Sequence, residues 1–298
     1  MAIIEISDAT DLQAMENDLA GDYEIINDID ASGTSTWNDG AGFDPVGTFT
    51  GSLDGKGFKI TGLDISRGST DYIGLFGDTS SGSVVDNVAL VDVSISGSYR
   101  TGGLIGWSES TVSNSYVTGS VSGSARTGGL IGDIDANSVS NSYSRASVSG
   151  SHNVGGLVGA NPSGTISKSY ATGAVSGGSG VGGLVGVWGG SNTYDSFWDT
   201  ETSGQETSAG GTGKTTAEMK DRATFTDTST TGLDSAWDMA AEDTYDDTKT
   251  WGIGSLGVTL INDGYPFLMV FQSEPAEVVA ARPWQTRARA AHTGVLGR

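Results

Sequence analysis

"GGLIG" stands at Gly102–Gly106 and again at Gly128–Gly132, and GGLVG follows at Gly155–Gly159 and Gly182–Gly186. The phrases start 26, 27 and 27 residues apart. A second phrase keeps step: NSY at Asn114–Tyr116 and Asn141–Tyr143, KSY at Lys168–Tyr170, DSF at Asp195–Phe197. A third, (V/I)SG, falls at Ile95–Gly97, Val121–Gly123, Val148–Gly150 and Val175–Gly177. A weaker copy precedes them, with GLFG at Gly74–Gly77 and Asp86-Asn87-Val88. Self-similarity at such a period marks a repeat architecture.

The residues within one period exclude helix. Ser, Thr, Gly, Val and Tyr dominate, and these favour strands and turns. In "TVSNSYVTGSVSG" (Thr111–Gly123) strand alternation puts Val112 and Tyr116 on one face with Asn114 between. A bend at Gly119 returns Val121 to the interior, and Leu130 follows across the next corner. One period therefore reads as one coil of a parallel β-solenoid, with about three short strands and three corners. Coils stacked about 4.8 Å apart set like on like: columns of Tyr, Asn, Val and Leu, with Asn114 and Asn141 as an amide ladder. Crossover chirality favours right-handed winding. The glycines then serve tight turns or crowded backbone, with φ > 0 where a corner needs it.

These phrases resemble the GLUG-motif repeats of large bacterial and archaeal surface proteins and adhesins. The likeness extends to "FTGSLDGKGFKITGLDI" (Phe49–Ile65), like the first coil before such repeats, and to "SFWDTETSGQETSAGGTGKTTAEMKDRATF" (Ser196–Phe225), like the segment after them. "DGYPFL" (Asp263–Leu268) is similar to their closing phrase, so residues 1–271 are covered. The resemblance implies a parallel β-helix with a surface, adhesive or structural role and no catalytic residues. Such proteins are usually exported and longer. The start MAIIEISDAT lacks the basic and apolar regions of a secretory signal.

Four segments follow from composition: a cap at 1–50, repeats at 51–199, a second capping unit at 200–271, and a basic arm at 272–298. Asp8 predicts the N-cap of a short helix with Leu12, Met15 and Leu19 on one face, ended by Gly21. Thr215 and Glu218 predict a capping box for a helix through Ala223. The net charge of the 298-residue chain is −21, from 36 acids and 15 bases. Such a surface repels nucleic acid and anionic membranes and suits molar salt, where screening acts within a few ångströms. Residues 278–298 reverse the sign, holding Arg282, Arg287, Arg289 and Arg298 without an acid. There Trp284 offers an anchor and the arginines a match for carboxylates. The arm is expected to dock onto another copy, giving a homo-oligomer, or onto another acidic virion or surface protein. No apolar run approaches membrane-spanning length.

The sites for chemistry are few. The chain has no cysteine. "SAGGTGKTT" has Ser208 where a phosphate loop needs glycine, so it reads as a capping segment. A zinc peptidase of the kind that accompanies GLUG repeats needs two histidines four apart, and only His152 and His292 exist. Carbohydrate-cleaving β-helices need clustered carboxylates. Asp133/Asp135, Asp86/Asp92 and the Glu242–Asp247 run are candidates: Asp133 and Asp135 offer a weak cation site against the expectation of a solvated corner, the acidic run is expected to be a solvated loop, and Asp54 is structural in a tight turn. Trp107 and Trp188 sit at corners where the repeat varies, and indoles there can stack on a host glycan or glycoprotein. No metal or cofactor site is expected. The expectation is a non-enzymatic structural and adhesive protein of a halophilic virus particle, carried on a tail, fibre, baseplate or capsid. The alternatives are a cell-surface adhesin fragment and a β-helical lyase or glycosidase.

Overall fold

The computed structural model describes residues 2–188, 192–256 and 259–272. The chain forms two compact units, dividing after Trp237. The first is a parallel β-solenoid. One coil passes through Tyr99–Gly102, Ile105–Ser108, Thr111–Ser113 and Tyr116–Ser122. Each strand pairs in parallel with the same phrase one coil on: Tyr99 with Ala125, Ile105 with Ile131, Val112 with Val139, Tyr116 with Tyr143. The coil thus has four strand segments rather than three. The extra one is the strand just before each glycine phrase.

The glycine phrase explains that extra strand. Its leucines form an interior column: Leu104, Leu130, Leu157 and Leu184 are at most 1% exposed. The amides of the first three donate to the carbonyl of the next leucine at 2.9 Å. Each fully buried leucine contributes roughly 1.5–3 kcal/mol. The last glycine of each phrase lies against the backbone of the strand leading into a phrase. A Cβ on Gly159 would stand 2.5 Å from the carbonyl carbon of Arg126, and one on Gly186 2.8 Å from that of Asn153. None of the phrase glycines has a positive φ. Two strands therefore pack backbone to backbone, which only glycine permits, and left-handed geometry is not what the phrase supplies.

Left-handed geometry goes instead to the NSY phrase. Asn87, Asn114, Asn141, Lys168 and Asp195 form one column with φ between 47° and 56°. Asn and Asp tolerate this region better than other L residues. The predicted amide ladder is absent, because the Asn114 amide donates to Asp86 Oδ1 at 2.9 Å. The next residue makes the ladder. Ser115, Ser142 and Ser169 each donate their amide to the hydroxyl of the serine one coil on, at 3.1–3.2 Å. Each hydroxyl in turn donates to a carbonyl two residues back, at 2.7–2.8 Å. These buried polar groups are satisfied by repetition itself.

The tyrosines stack as predicted, but not on the face of Val112. Val117 joins the central core, so Tyr116, its neighbour in the strand, faces the other way. Tyr116, Tyr143 and Tyr170 lie with centroids 4.7 and 4.8 Å apart and planes within 6°, which is the strand spacing. Burial pushes the Tyr116 and Tyr143 phenols well above their ordinary range. Trp237 extends this outer stack, 4.7 Å from Phe225 and 6.2 Å from Phe197, with its indole N–H on the Asp195 carbonyl at 2.9 Å.

At the start, Asp8 caps helix Ala9–Ala14 by accepting from Thr10 and Asp11. Leu12, Met15 and partly buried Leu19 join the core. The helix passes into a 3-10 turn at Met15–Asn17, well before Gly21. After the last coil, Thr212–Lys214 pairs with Phe197–Asp199. The capping box of Thr215 and Glu218 forms on helix Thr216–Met219. That helix stops short of Ala223, where Asp221 accepts the Ala223 amide and a new turn begins at Ala223–Thr226.

The second unit pairs Trp251–Gly252 with Phe267–Leu268 antiparallel, and Ser255–Leu256 with Thr259–Leu260. Leu256, Phe267 and Met269 form its small core. The expected docking residues Arg282, Trp284, Arg287 and Arg289 lie outside the described residues. Among the described residues no helix is long and apolar enough to cross a membrane.

Candidate functional site

Thr101 pairs with Thr127, and Arg100 and Arg126 immediately before them are left-handed, with φ of 59° and 53°. Tyr72, Asn153 and Gly180 hold the same conformation in the coils before and after. A left-handed residue inside a strand makes a local bulge and re-aims its side chain. Both arginines turn onto the neighbouring sheet, where Trp107 and Asp133 occupy one register position in successive coils.

Asp133 receives both guanidiniums on one oxygen. Arg100 Nε donates to Oδ2 at 2.9 Å, and Arg126 Nη1 donates to the same atom. Asp133 is 1% exposed, so the expected solvated corner is wrong for this residue. Its register column holds Trp107 and Ala160 in adjacent coils, and the two arginines turned onto it close it off from water. Burial pushes the Asp133 carboxyl above its ordinary range, against the pull of Arg126 and Arg100. Its Oδ1 and the Trp107 indole N–H have no hydrogen-bond partner among the described residues. Asp135, two residues on, is exposed and takes no part.

Aromatic rings clasp the arginines. Arg100 Cζ lies 5.3 Å from the Tyr72 centroid, 5.2 Å from Tyr99 and 5.1 Å from Trp107. Arg126 Cζ lies 5.3 Å from Tyr99 and 5.1 Å from Trp188. Arg100 Nη1 also donates to Tyr72 Oη at 3.1 Å. Each such cation–π contact contributes about 0.5–2 kcal/mol. The result is a ladder of alternating rings and guanidiniums along the coil axis. Its rims are open: Tyr72 is 40% and Trp188 54% exposed, whereas Trp107 is half-buried. Both tryptophans singled out from sequence belong to this cluster. Tyr72, Tyr99, Arg100 and Arg126 were missed, although RTGGLIG, written twice at Arg100–Gly106 and Arg126–Gly132, carried the signal.

The other candidates stay apart. Asp86 and Asp92 lie in strands of different sheets. Asp86 accepts from Ser113, Asn114 and Asn87 and is a fixed corner. Asp54 accepts the Lys56 amide at 2.8 Å within its turn. The Glu242–Asp247 run is mostly exposed loop. Ser208 receives the amides of Leu184 and Val185 at 3.2 and 2.9 Å, so the phosphate-loop look-alike closes the last glycine phrase. His152 Nδ1 lies 2.8 Å from Ser179 Oγ on the exposed surface, and no carboxylate joins them among the described residues. Among those residues no group of three or more His, Cys, Asp or Glu could hold a metal.

The GLUG motif family matches residues 97–122 and 150–176. Halomucin of Haloquadratum walsbyi is 48% identical over 99 residues, 33% of this chain but 1% of halomucin. A Gly-rich candidate membrane protein of Evansella cellulosilytica is 40% identical over 91 residues, 28% of this chain and 10% of that protein. The chain therefore spans a small fraction of either relative. The crystal structure of a candidate immunoglobulin A1 protease from Bacteroides ovatus superposes with a TM-score of 0.61 at 20% identity, covering 90% of this chain and 92% of that one. At that identity the likeness is one of fold. The chain is thus a β-helix whose coils stack in register and two of whose stretches match the GLUG motif.

Proposed function

We propose that the chain is a non-catalytic adhesive module of a halophile's surface, with the arginine–aromatic ladder as its contact face. The observation that supports this reading is the ladder itself. It gathers cations and half-open rings across two neighbouring sheets of a chain whose net charge is −21. The acidic composition and the likeness to a Haloquadratum walsbyi protein favour a salt-loving source. The test is adhesion: labelled protein added in molar NaCl to intact haloarchaeal cells binds saturably. Linear, unsaturable uptake sinks the reading.

A cell surface is the favoured setting, because the relatives with sequence similarity include one described as a membrane protein. A virus particle would use the same coils in the same way, and immunogold labelling of purified virions against cell envelopes separates the two. Proteolysis, which the name of the solved relative raises, is disfavoured. Among the described residues the Ser179–His152 contact has no orienting acid, and the chain has no cysteine. Incubation with a denatured protein substrate is expected to yield no fragments.

A further inference from the structure

We propose that the ladder between Tyr72 and Trp188 binds an acidic oligosaccharide, with sugar faces on the open rings and the acid groups on Arg100 and Arg126. This rests on the adhesive reading above and names its ligand class. Two guanidiniums carry ten N–H donors. Asp133 takes one from each and Tyr72 Oη takes one from Arg100. The other seven have no protein partner among the described residues. Among the described residues Asp133 is the one carboxylate in contact with the two guanidiniums, so one positive charge is left without a contact partner, while Asp71 sits on the Tyr99 amide and Asp78 in the Trp107 column.

The ring–cation clasp fixes both forks without closing them: the arginine side chains keep 18% and 19% of their surface open. A planar guanidinium pairs carboxylate or sulfate through two parallel hydrogen bonds, which an ammonium cannot do. Trp188 and Tyr72 present apolar ring faces at the two ends, suited to the C–H face of a pyranose. The guanidiniums that these rings clasp meet on one Asp133 oxygen, so the rings lie closer together than the about 19 Å of four coil steps between their strands. Two rings with two forks between them suit several sugars better than one.

Salt decides the class of contact. The overall negative charge would repel a polyanion at low ionic strength. At about 1 M salt the screening length is about 3 Å. Repulsion from distant acids then vanishes, while forked hydrogen bonds and stacking persist because both act at contact. The buried Asp133 has the same logic. It holds the forks in place at short range, where salt does not reach it.

The test is calorimetric titration of the full chain in molar NaCl with hexagalacturonate, its fully methyl-esterified form, and dextran sulfate. Saturable binding of either anion is expected, with hexagalacturonate marking a carboxylate ligand and dextran sulfate a sulfated one. Trp188→Ala and Arg126→Lys, each checked for native circular dichroism, should weaken it about tenfold or more. The esterified hexamer should bind correspondingly more weakly. No saturable binding of either anion, equal binding of the ester, or full affinity in Trp188→Ala overturns the proposal. Cell adhesion is measured alongside. Adhesion that survives Trp188→Ala overturns this site and leaves the adhesive reading standing, whereas anion binding without adhesion removes that reading and leaves the site.

Discussion

The ring of Tyr143 lies 4.7 Å from that of Tyr116 with the planes 2° apart, and Tyr170 continues the stack on its other side at 4.8 Å. Tyr143 is thus the middle of a column that repeats at the strand spacing, and it is 4% exposed. Removing it opens a hole between two rings. Tyr143→Ala is expected to lower unfolding free energy by about 3–5 kcal/mol, read by denaturant titration in molar salt. Tyr143→Phe keeps the stack and should lose about 1 kcal/mol. Equal losses in the two variants would mean that the hydroxyl, not the ring, holds the column.

The glycine phrase makes a second test, because its crowding is local. Gly159→Ala drives a methyl into the backbone of Arg126 and Thr127 and is expected to cost about 1–3 kcal/mol or more. Gly47→Ala has open space and an ordinary φ and should be neutral or stabilising by about 0.4–1 kcal/mol. A Gly159→Ala protein with wild-type midpoint would refute backbone-to-backbone packing of the two sheets.

Two carboxylates should give pH dependences of opposite sign. Glu218 is held below its ordinary range, first by the Thr215 backbone N–H. Its contribution is full above the ordinary pKa of 4.5 and is lost as pH falls through the lowered value. The gap between wild type and Glu218→Gln should therefore be about 0.5–1 kcal/mol at neutral pH and close on acidification. Asp133 is raised by burial. Its protonated form is the one folding favours, so wild type should gain on Asp133→Asn as pH falls from neutral toward the ordinary carboxylate range. Parallel slopes for the two differences would contradict this.

The arm is tested by mass. Light scattering in molar NaCl of the full chain and of a version ending at Phe271 should give a closed oligomer and a monomer. Two monomers would remove self-assembly through Arg282, Trp284, Arg287 and Arg289.

Most of the solenoid was legible because stacking turns period into register: Val112 over Val139 and Leu104 over Leu130 follow from spacing alone. The faces were harder. Tyr116 and Val112 share a parity in sequence, but a left-handed corner at Asn114 lies between them and breaks the alternation. No propensity rule announces such a corner at Lys168. The site was half legible. Trp107 and Trp188 stood out as variable corners, yet Asp133 looked solvated because its register column was invisible without the coil. Arg100 and Arg126 drew no reading, because nothing in their residue type announces a left-handed turn inside a strand.

The left-handed positions recur at every coil while their occupants change: Arg100, Arg126, Asn153 and Gly180 in one file, Asn114, Asn141, Lys168 and Asp195 in another. What is inherited from coil to coil is a shape of peptide, and the side chain mounted on it is free to differ. The solenoid is in this sense a rack of identical sockets at fixed pitch. Swapping one fitting alters the surface pattern without retooling the frame, so a new specificity needs no new fold.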